Sequence, residues 1–224
     1  MKKEKLHKGL TPLDVARCGN LDAVVPTLMQ ISSERNIETV LVTSCNPGEG
    51  KTTTALKLAL AAAVKIEQRV LLVDCNPARP ILSSQFGCRD VPGFHDLLCE
   101  NAEPGEVVQT TSISRLHLAS FGTKDQSGFN VYNAQNIREK LRELSDSVFG
   151  GYDLVVVDGA SGADQPDLSV SAAAFDGVIL VLECEGTRWE VAQHYEARLS
   201  AASATVVGTV MNKRKFYIPK SLYA

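Results

Sequence analysis

From residue 38 onward the chain alternates short, nearly unbroken aliphatic runs with longer stretches whose apolar positions recur every three or four residues. The runs are Glu38 to Thr43, Val70 to Asp74, Leu116 to Ala119, Leu154 to Asp158, Val178 to Leu182 and Thr205 to Met211. Continuous Val, Leu and Ile is the signature of strands covered on both faces, since a half-solvated strand alternates apolar with polar residues. Helical periodicity fills the intervals Lys51 to Ile66, Asn133 to Val148 and Arg188 to Ala201. This rhythm predicts an α/β fold of three layers, a mostly parallel central sheet flanked by helices on both faces. Upstream, Thr11-Pro12-Leu13-Asp14 reads as a helix start, with a capping Thr, Pro at the first helical position and an acid in the first turn. The expected organisation is a helical segment over 1–36 and one domain over 37–224. No internal repeat or low-complexity stretch interrupts it, and Gly122 to Asn130 reads as the most flexible loop.

Composition adds exclusions. At 224 residues, 44% hydrophobic and 22% charged, the chain has enough apolar material for one substantial core and is not disordered. A net charge of −3 gives no global reason to bind nucleic acid. No apolar run reaches the roughly 18 to 20 residues of a membrane span, and the Lys-rich start lacks a signal peptide's apolar segment, so a cytoplasmic protein is expected. Six scattered cysteines, without a C-x-x-C pair, read as reduced thiols, and the four histidines lack the partners of a metal site.

In open parallel sheets ligands bind beyond the carboxyl ends of the strands, so the residues there carry the functional reading. After the first strand comes Thr43-Ser44-Cys45-Asn46-Pro47-Gly48-Glu49-Gly50-Lys51-Thr52-Thr53, then a helix. This is the spacing of a phosphate-binding loop in the required strand-loop-helix context. Pro47 through Thr53 are the candidate nucleotide contacts: Gly48 and Gly50 let backbone N–H groups turn onto phosphate oxygens, Lys51 reaches the terminal phosphates and the Thr52 hydroxyl faces Mg²⁺. The loop departs from the usual pattern by carrying Cys45 at its first Gly position. It also lacks a Lys at position 46, which weighs against a partition-type ATPase. Asp74 ends the second strand, suited to a metal-bound water or to accepting a proton, or alternatively to initiating the Asn76-Pro77 turn. Asp158 ends the fourth run as a Mg²⁺-ordering acid, and Asn212 ends the last strand either as an adenine contact or as a turn residue.

Together these segments resemble the bacterial tyrosine kinases of capsule and exopolysaccharide synthesis, the BY-kinases, which are P-loop ATPases related to the MinD/ParA group. TSxxPGEGKTT at 43–53 is similar to that family's Walker A motif, VLLVDCNPARP at 70–80 to its second acidic motif and YDLVVVDG at 152–159 to its Walker B motif. FGCRDVPGFHDLL at 86–98, FDGVILVLECEGTR at 175–188 and GTVMNKRKFYIP at 208–219 follow the same pattern. The resemblance implies a P-loop NTPase fold binding ATP and Mg²⁺. It implies catalytic roles for Lys51, Asp74, Asp158 and Arg79, metal contacts from Thr52, Asp74 and Asp158, and an adenine contact from Asn212. It further implies a transmembrane polysaccharide copolymerase, or chain-length regulator, as partner, and through it a place at the inner face of the cell membrane. Homo-oligomers also follow from the resemblance.

Several positions depart from the family. Asn76 replaces the second acid of the D-x-D pair, keeping a metal-facing oxygen but no basicity, and Arg79 falls one residue late. Gly159-Ala160-Ser161 replaces the usual Pro-rich continuation. The arginines of a ring-forming E-x-x-R-x-x-R helix are absent near Asp22, Val25 and Leu28, and only Tyr217 and Tyr223 stand in the tail. Two functions therefore compete: transfer of the ATP γ-phosphate to tyrosine, and an ATP-dependent switch without that transfer that regulates the copolymerase. Cys45, beside a helix N-terminus, carries a minor expectation of a lowered pKa and redox chemistry. Trp189 and Tyr195 are expected to be packing residues, and Lys213-Arg214-Lys215 a solvated basic tail.

Overall fold

The computed structural model describes residues 37–88, 91–123, 129–147, 151–164 and 168–215. The helix expected from Thr11, the positions near 22–28 and the tail tyrosines lie outside the described residues. So does the middle of the 122–130 loop, although its first residues are tethered: Thr123 N–H donates to Asp96 Oδ2 at 2.9 Å.

All six aliphatic runs form strands of one seven-stranded sheet. In chain order these are β1 (Thr39–Ser44), β2 (Val70–Cys75), β3 (Val108–Thr110), β4 (Leu116–Ala119), β5 (Leu154–Ser161), β6 (Gly177–Glu183) and β7 (Val206–Asn212). Their spatial order is β3-β4-β2-β5-β1-β6-β7. Every neighbouring pair is parallel except β3 with β4. The helices are α1 (Lys51–Lys65), α2 (Ile81–Gln85), α3 (Phe94–Leu98), α4 (Pro104–Val107), α5 (Ala134–Ser147), α6 (Leu168–Ser171) and α7 (Trp189–Ala201). The sequence reading did not anticipate β3 or the short helices α2, α3, α4 and α6.

Strand alternation divides the interior into two cores. Val40, Val42, Val70, Leu72, Leu154, Val156, Ile179 and Val181 face α1 and α2, packing on Ala55, Leu58, Ala59, Ala62, Leu82 and Phe86. Leu41, Leu71, Val73, Val155, Val157, Val178 and Leu180 face the other way, onto Phe94, Leu97, Ile137, Leu141, Tyr195 and Leu199. Because both faces are covered, neither register nor strand direction can slip without driving polar strand ends into an apolar layer. The polar ends of β1, β2, β5, β6 and β7 thus come together along one edge of the sheet.

Candidate nucleotide and metal site

The loop between β1 and α1 owes its shape to two left-handed glycines. Gly48 has φ 85° and Gly50 φ 97°, conformations that an L side chain adopts only at a cost. Gly50 is also crowded: a Cβ there would lie 2.0 Å from Asn212 Nδ2. Gly50 is the N-cap of α1, which has no side-chain cap and no acid in its first turn. Its leading N–H groups and the positive end of its dipole are left for an anion. Lys51 is buried at this same end, and the Thr52 side chain is half-buried.

The acids stand directly beneath. Asp74 and Asp158 occupy matched positions on adjacent parallel strands, and both side chains are fully buried. Asp158 has no hydrogen-bond partner of normal geometry on either oxygen. Burial pushes its pKa up to about 6, although the Thr52 hydroxyl and the Lys51 ammonium favour the charged form. Asp74 is raised well above the carboxylate range, first by burial and then by the Asp158 charge, against two backbone hydrogen bonds and Lys51. Those hydrogen bonds come from Asn76 N–H at 3.2 Å and Leu82 N–H at 3.1 Å. Asp74 therefore shapes the turn that leads into α2, as one reading of the sequence expected, while standing beside Asp158. Two dry carboxylates beside one lysine leave a deficit of positive charge. A divalent cation with oxygen ligands fits that deficit, and the orphaned oxygens of Asp158 are the observation that favours it.

Asn76 behaves differently from the expectation of a metal-facing oxygen. Its Oδ1 accepts Arg79 N–H at 3.3 Å, whereas its buried Nδ2 has no partner. The free group is a donor, which suits a phosphate oxygen and not a cation. The Arg79 side chain is exposed in the same turn, and no ion pair links it to a described acid.

Glu49 shows why part of the site was hidden in the sequence. Its buried carboxylate accepts Asn46 N–H at 3.1 Å and Asn46 Nδ2 at 2.9 Å, and also the Thr187 hydroxyl. Thr187 Oγ1 in turn accepts Glu183 N–H at 3.0 Å. The Glu49 carbonyl accepts Asn212 Nδ2 at 2.9 Å. Only its backbone N–H is therefore left for a nucleotide, since the side chain fastens the loop to the ends of β6 and β7. Thr187 was not anticipated, because nothing local marks a partner 138 positions away.

Cys45 fits the loop as a small buried residue, and its lesser expectation of redox chemistry fails. The thiol is buried against the Val191 carbonyl, and burial, together with the Glu49 charge, pushes its pKa up to about 12. It stays protonated, which removes the basis for redox reactivity. Tyr195 is the expected packing residue, its hydroxyl 3.0 Å from Thr43 Oγ1. Trp189 is not, being 72% exposed.

No family model matches the chain. It is 26% identical over 184 residues to the tyrosine-protein kinase YwqD of Bacillus subtilis, covering 82% of this chain and 76% of that one. It is 25% identical over 195 residues to the tyrosine-protein kinase CpsD of Streptococcus pneumoniae, covering 87% and 83%. The crystal structure of the VpsO kinase domain superimposes with a TM-score of 0.78 and 26% identity, over 91% of this chain and 97% of that one. Among the described residues no helix is long and apolar enough to cross a membrane. In both sequence and fold, with a phosphate loop set over two strand-end acids, the chain is similar to P-loop ATPases of the bacterial tyrosine-kinase type.

Proposed function

We infer that the chain is an ATP-dependent protein-tyrosine kinase that regulates polysaccharide polymerisation or export together with a transmembrane chain-length regulator. The observation that carries this reading is the register pair Asp74 and Asp158 beneath Lys51 and Thr52. ATP phosphates sit on the loop N–H groups from Gly48 to Thr53, with Lys51 drawing negative charge from the β- and γ-phosphoryl oxygens. Asn212, already against Gly50, borders the base. Thr52 and Asp158 would hold Mg²⁺, which when bound would neutralise phosphate charge. Asp74, whose burial and neighbouring Asp158 charge favour binding a proton, orients a tyrosine hydroxyl and takes its proton. The phenolic oxygen bonds to the γ-phosphorus as the bond to the β-phosphate oxygen breaks and ADP leaves. The exposed Arg79 enters the reaction only if it is drawn over the phosphates on binding.

The test is phosphotyrosine detection, by blotting and mass spectrometry, on wild type and Lys51→Met incubated with ATP and Mg²⁺, with and without membranes carrying a chain-length regulator. Lys51-dependent phosphotyrosine on the chain or its partner is the expected result. Lys51-dependent ATP binding without phosphotyrosine under any condition refutes the kinase reading. The second reading, a switch that acts on the copolymerase through conformation alone, is favoured by the absent second acid at Asn76 and by the outward-facing Arg79, and that same result would establish it.

A further inference from the structure

The edge strand β7 is covered unevenly. On the α7 side its Thr209 and Met211 stand in register with Leu180 and Leu182 of β6, and α7 covers this end of β7 only in part, leaving Met211 open. The result is an open hollow of about 540 Å³ whose apolar lining includes Leu182, Trp189, Ala192 and Met211. Trp189 is 72% and Met211 60% exposed. Large side chains gathered in this way call for an occupant, whereas a lone exposed residue would not. The rim is acidic, with Glu183, Glu185 and Glu196 among its residues.

The chain's own course supplies the occupant. Strand β7 ends at Asn212, adjacent to Met211 on the rim, and Lys213 turns back in the left-handed region with φ 56°. Lys213 Nζ then pairs with Glu183 Oε2 at 3.0 Å, which draws the departing chain toward β6 and the hollow. Beyond it come Arg214 and Lys215, then Phe216-Tyr217-Ile218-Pro219-Lys220-Ser221-Leu222-Tyr223-Ala224. This segment is basic and apolar where the hollow is acidic and apolar. An extended chain advances about 3.3–3.6 Å per residue, so Phe216 and Ile218 are within reach without any further linker. In an extended segment these two side chains fall on one side and Tyr217 on the other.

We propose that residues 216–224 of this chain dock in the hollow between β7 and α7, with Phe216 and Ile218 seated on Trp189 and Met211 and the Lys/Arg run against the acidic rim. The seat belongs to the same molecule, because the chain leaves β7 at the rim itself. It stands apart from the reaction proposed above and does not depend on it.

Trp189 is the only tryptophan, so intrinsic fluorescence reads this surface directly. The full chain is compared with one ending at Lys215 and with a full-length Phe216→Ser/Ile218→Ser variant, each checked for native circular dichroism. Docking predicts a red-shifted emission and stronger acrylamide quenching in both altered proteins. It also predicts a return toward the full-chain spectrum when a peptide of residues 213–224 is added to the shortened chain. Superimposable spectra and quenching for all three proteins overturn the proposal. A full-chain spectrum that reddens on dilution makes a second copy the occupant, and overturns it equally.

Discussion

Replacing Asp158 by Asn is expected to stabilise the empty protein while abolishing its response to Mg-ATP. In the unfolded chain this carboxyl titrates near 3.8 and in the fold at about 6. Between those values the native state holds a proton that the unfolded chain has released, so stability falls as pH rises through the window and levels off above it. Each unit is worth about 1.36 kcal/mol, which makes the cost of the ionised acid about 3 kcal/mol at neutral pH. That figure already includes the attraction of Lys51 and Thr52, since both favour the charged form. An Asn imitates the neutral acid and escapes the cost. At about 2–4 °C per kcal/mol for a chain of this size, Asp158→Asn should melt roughly 6–12 °C above wild type near pH 7.5 without nucleotide. The advantage should shrink steadily below pH 6 and vanish near pH 4, where both proteins are neutral at this position. Adding Mg-ATP should reverse the order, because wild type gains stability by mass action and the variant gains little. Differential scanning fluorimetry across that pH range decides the matter. A variant that melts at or below wild type at pH 7.5, or whose advantage persists at pH 4, would refute the reasoning.

Three further outcomes follow from the site's geometry. Gly50→Ala must place a Cβ against Asn212 Nδ2 and hold φ near 97°, so calorimetric ATP affinity should fall about tenfold or more, and Asn212→Ala in the same chain should restore part of it by removing the clash but not the backbone cost. Thr187→Val leaves the buried Glu49 carboxylate one donor short and should cost about 1–3 kcal/mol in urea denaturation, with Thr187→Ser close to wild type; an unchanged Val variant would mean the link is idle. Cys45, with its pKa pushed up to about 12, should resist iodoacetamide at pH 8 in the native protein and react once unfolded, and rapid native alkylation mapped to its peptide would contradict that.

The central strands were legible because burial on both faces writes an uninterrupted aliphatic run, as in Val70-Leu71-Leu72-Val73, Leu154-Val155-Val156-Val157 and Val178-Ile179-Leu180-Val181-Leu182. Strand β3 was not, since Val108-Gln109-Thr110 is short and half-exposed and takes its conformation from pairing with β4. The phosphate loop and the strand-end acids were also readable, because glycine conformation and strand termini are local properties. What failed depended on distant neighbours. A cysteine beside a helix N-terminus suggests an acidic thiol, but the residues packed over Cys45 and the Glu49 charge reverse the sign. Trp189 looked like core from its place on a helix, yet its position at the first residue of α7 leaves it beyond the sheet it was expected to cover. Glu49 read as one loop residue among several, and only the fold brings Thr187 to it.

The fastening of Glu49 to Asn46, Thr187 and Asn212 also bears on how quickly a nucleotide is captured. Many phosphate-binding loops must be ordered by their ligand, a step that slows association and consumes part of the binding free energy. Here the backbone from Asn46 to Gly50 is already braced from three directions by hydrogen bonds internal to the protein. A nucleotide arriving at this loop meets N–H groups already aimed, so capture should proceed in a single bimolecular phase, linear in nucleotide concentration and without a saturating isomerisation step. Residence time is then set by how firmly the phosphates are held, and cutting any one strut should give the loop a second, slower kinetic phase before the rest of the fold registers the loss.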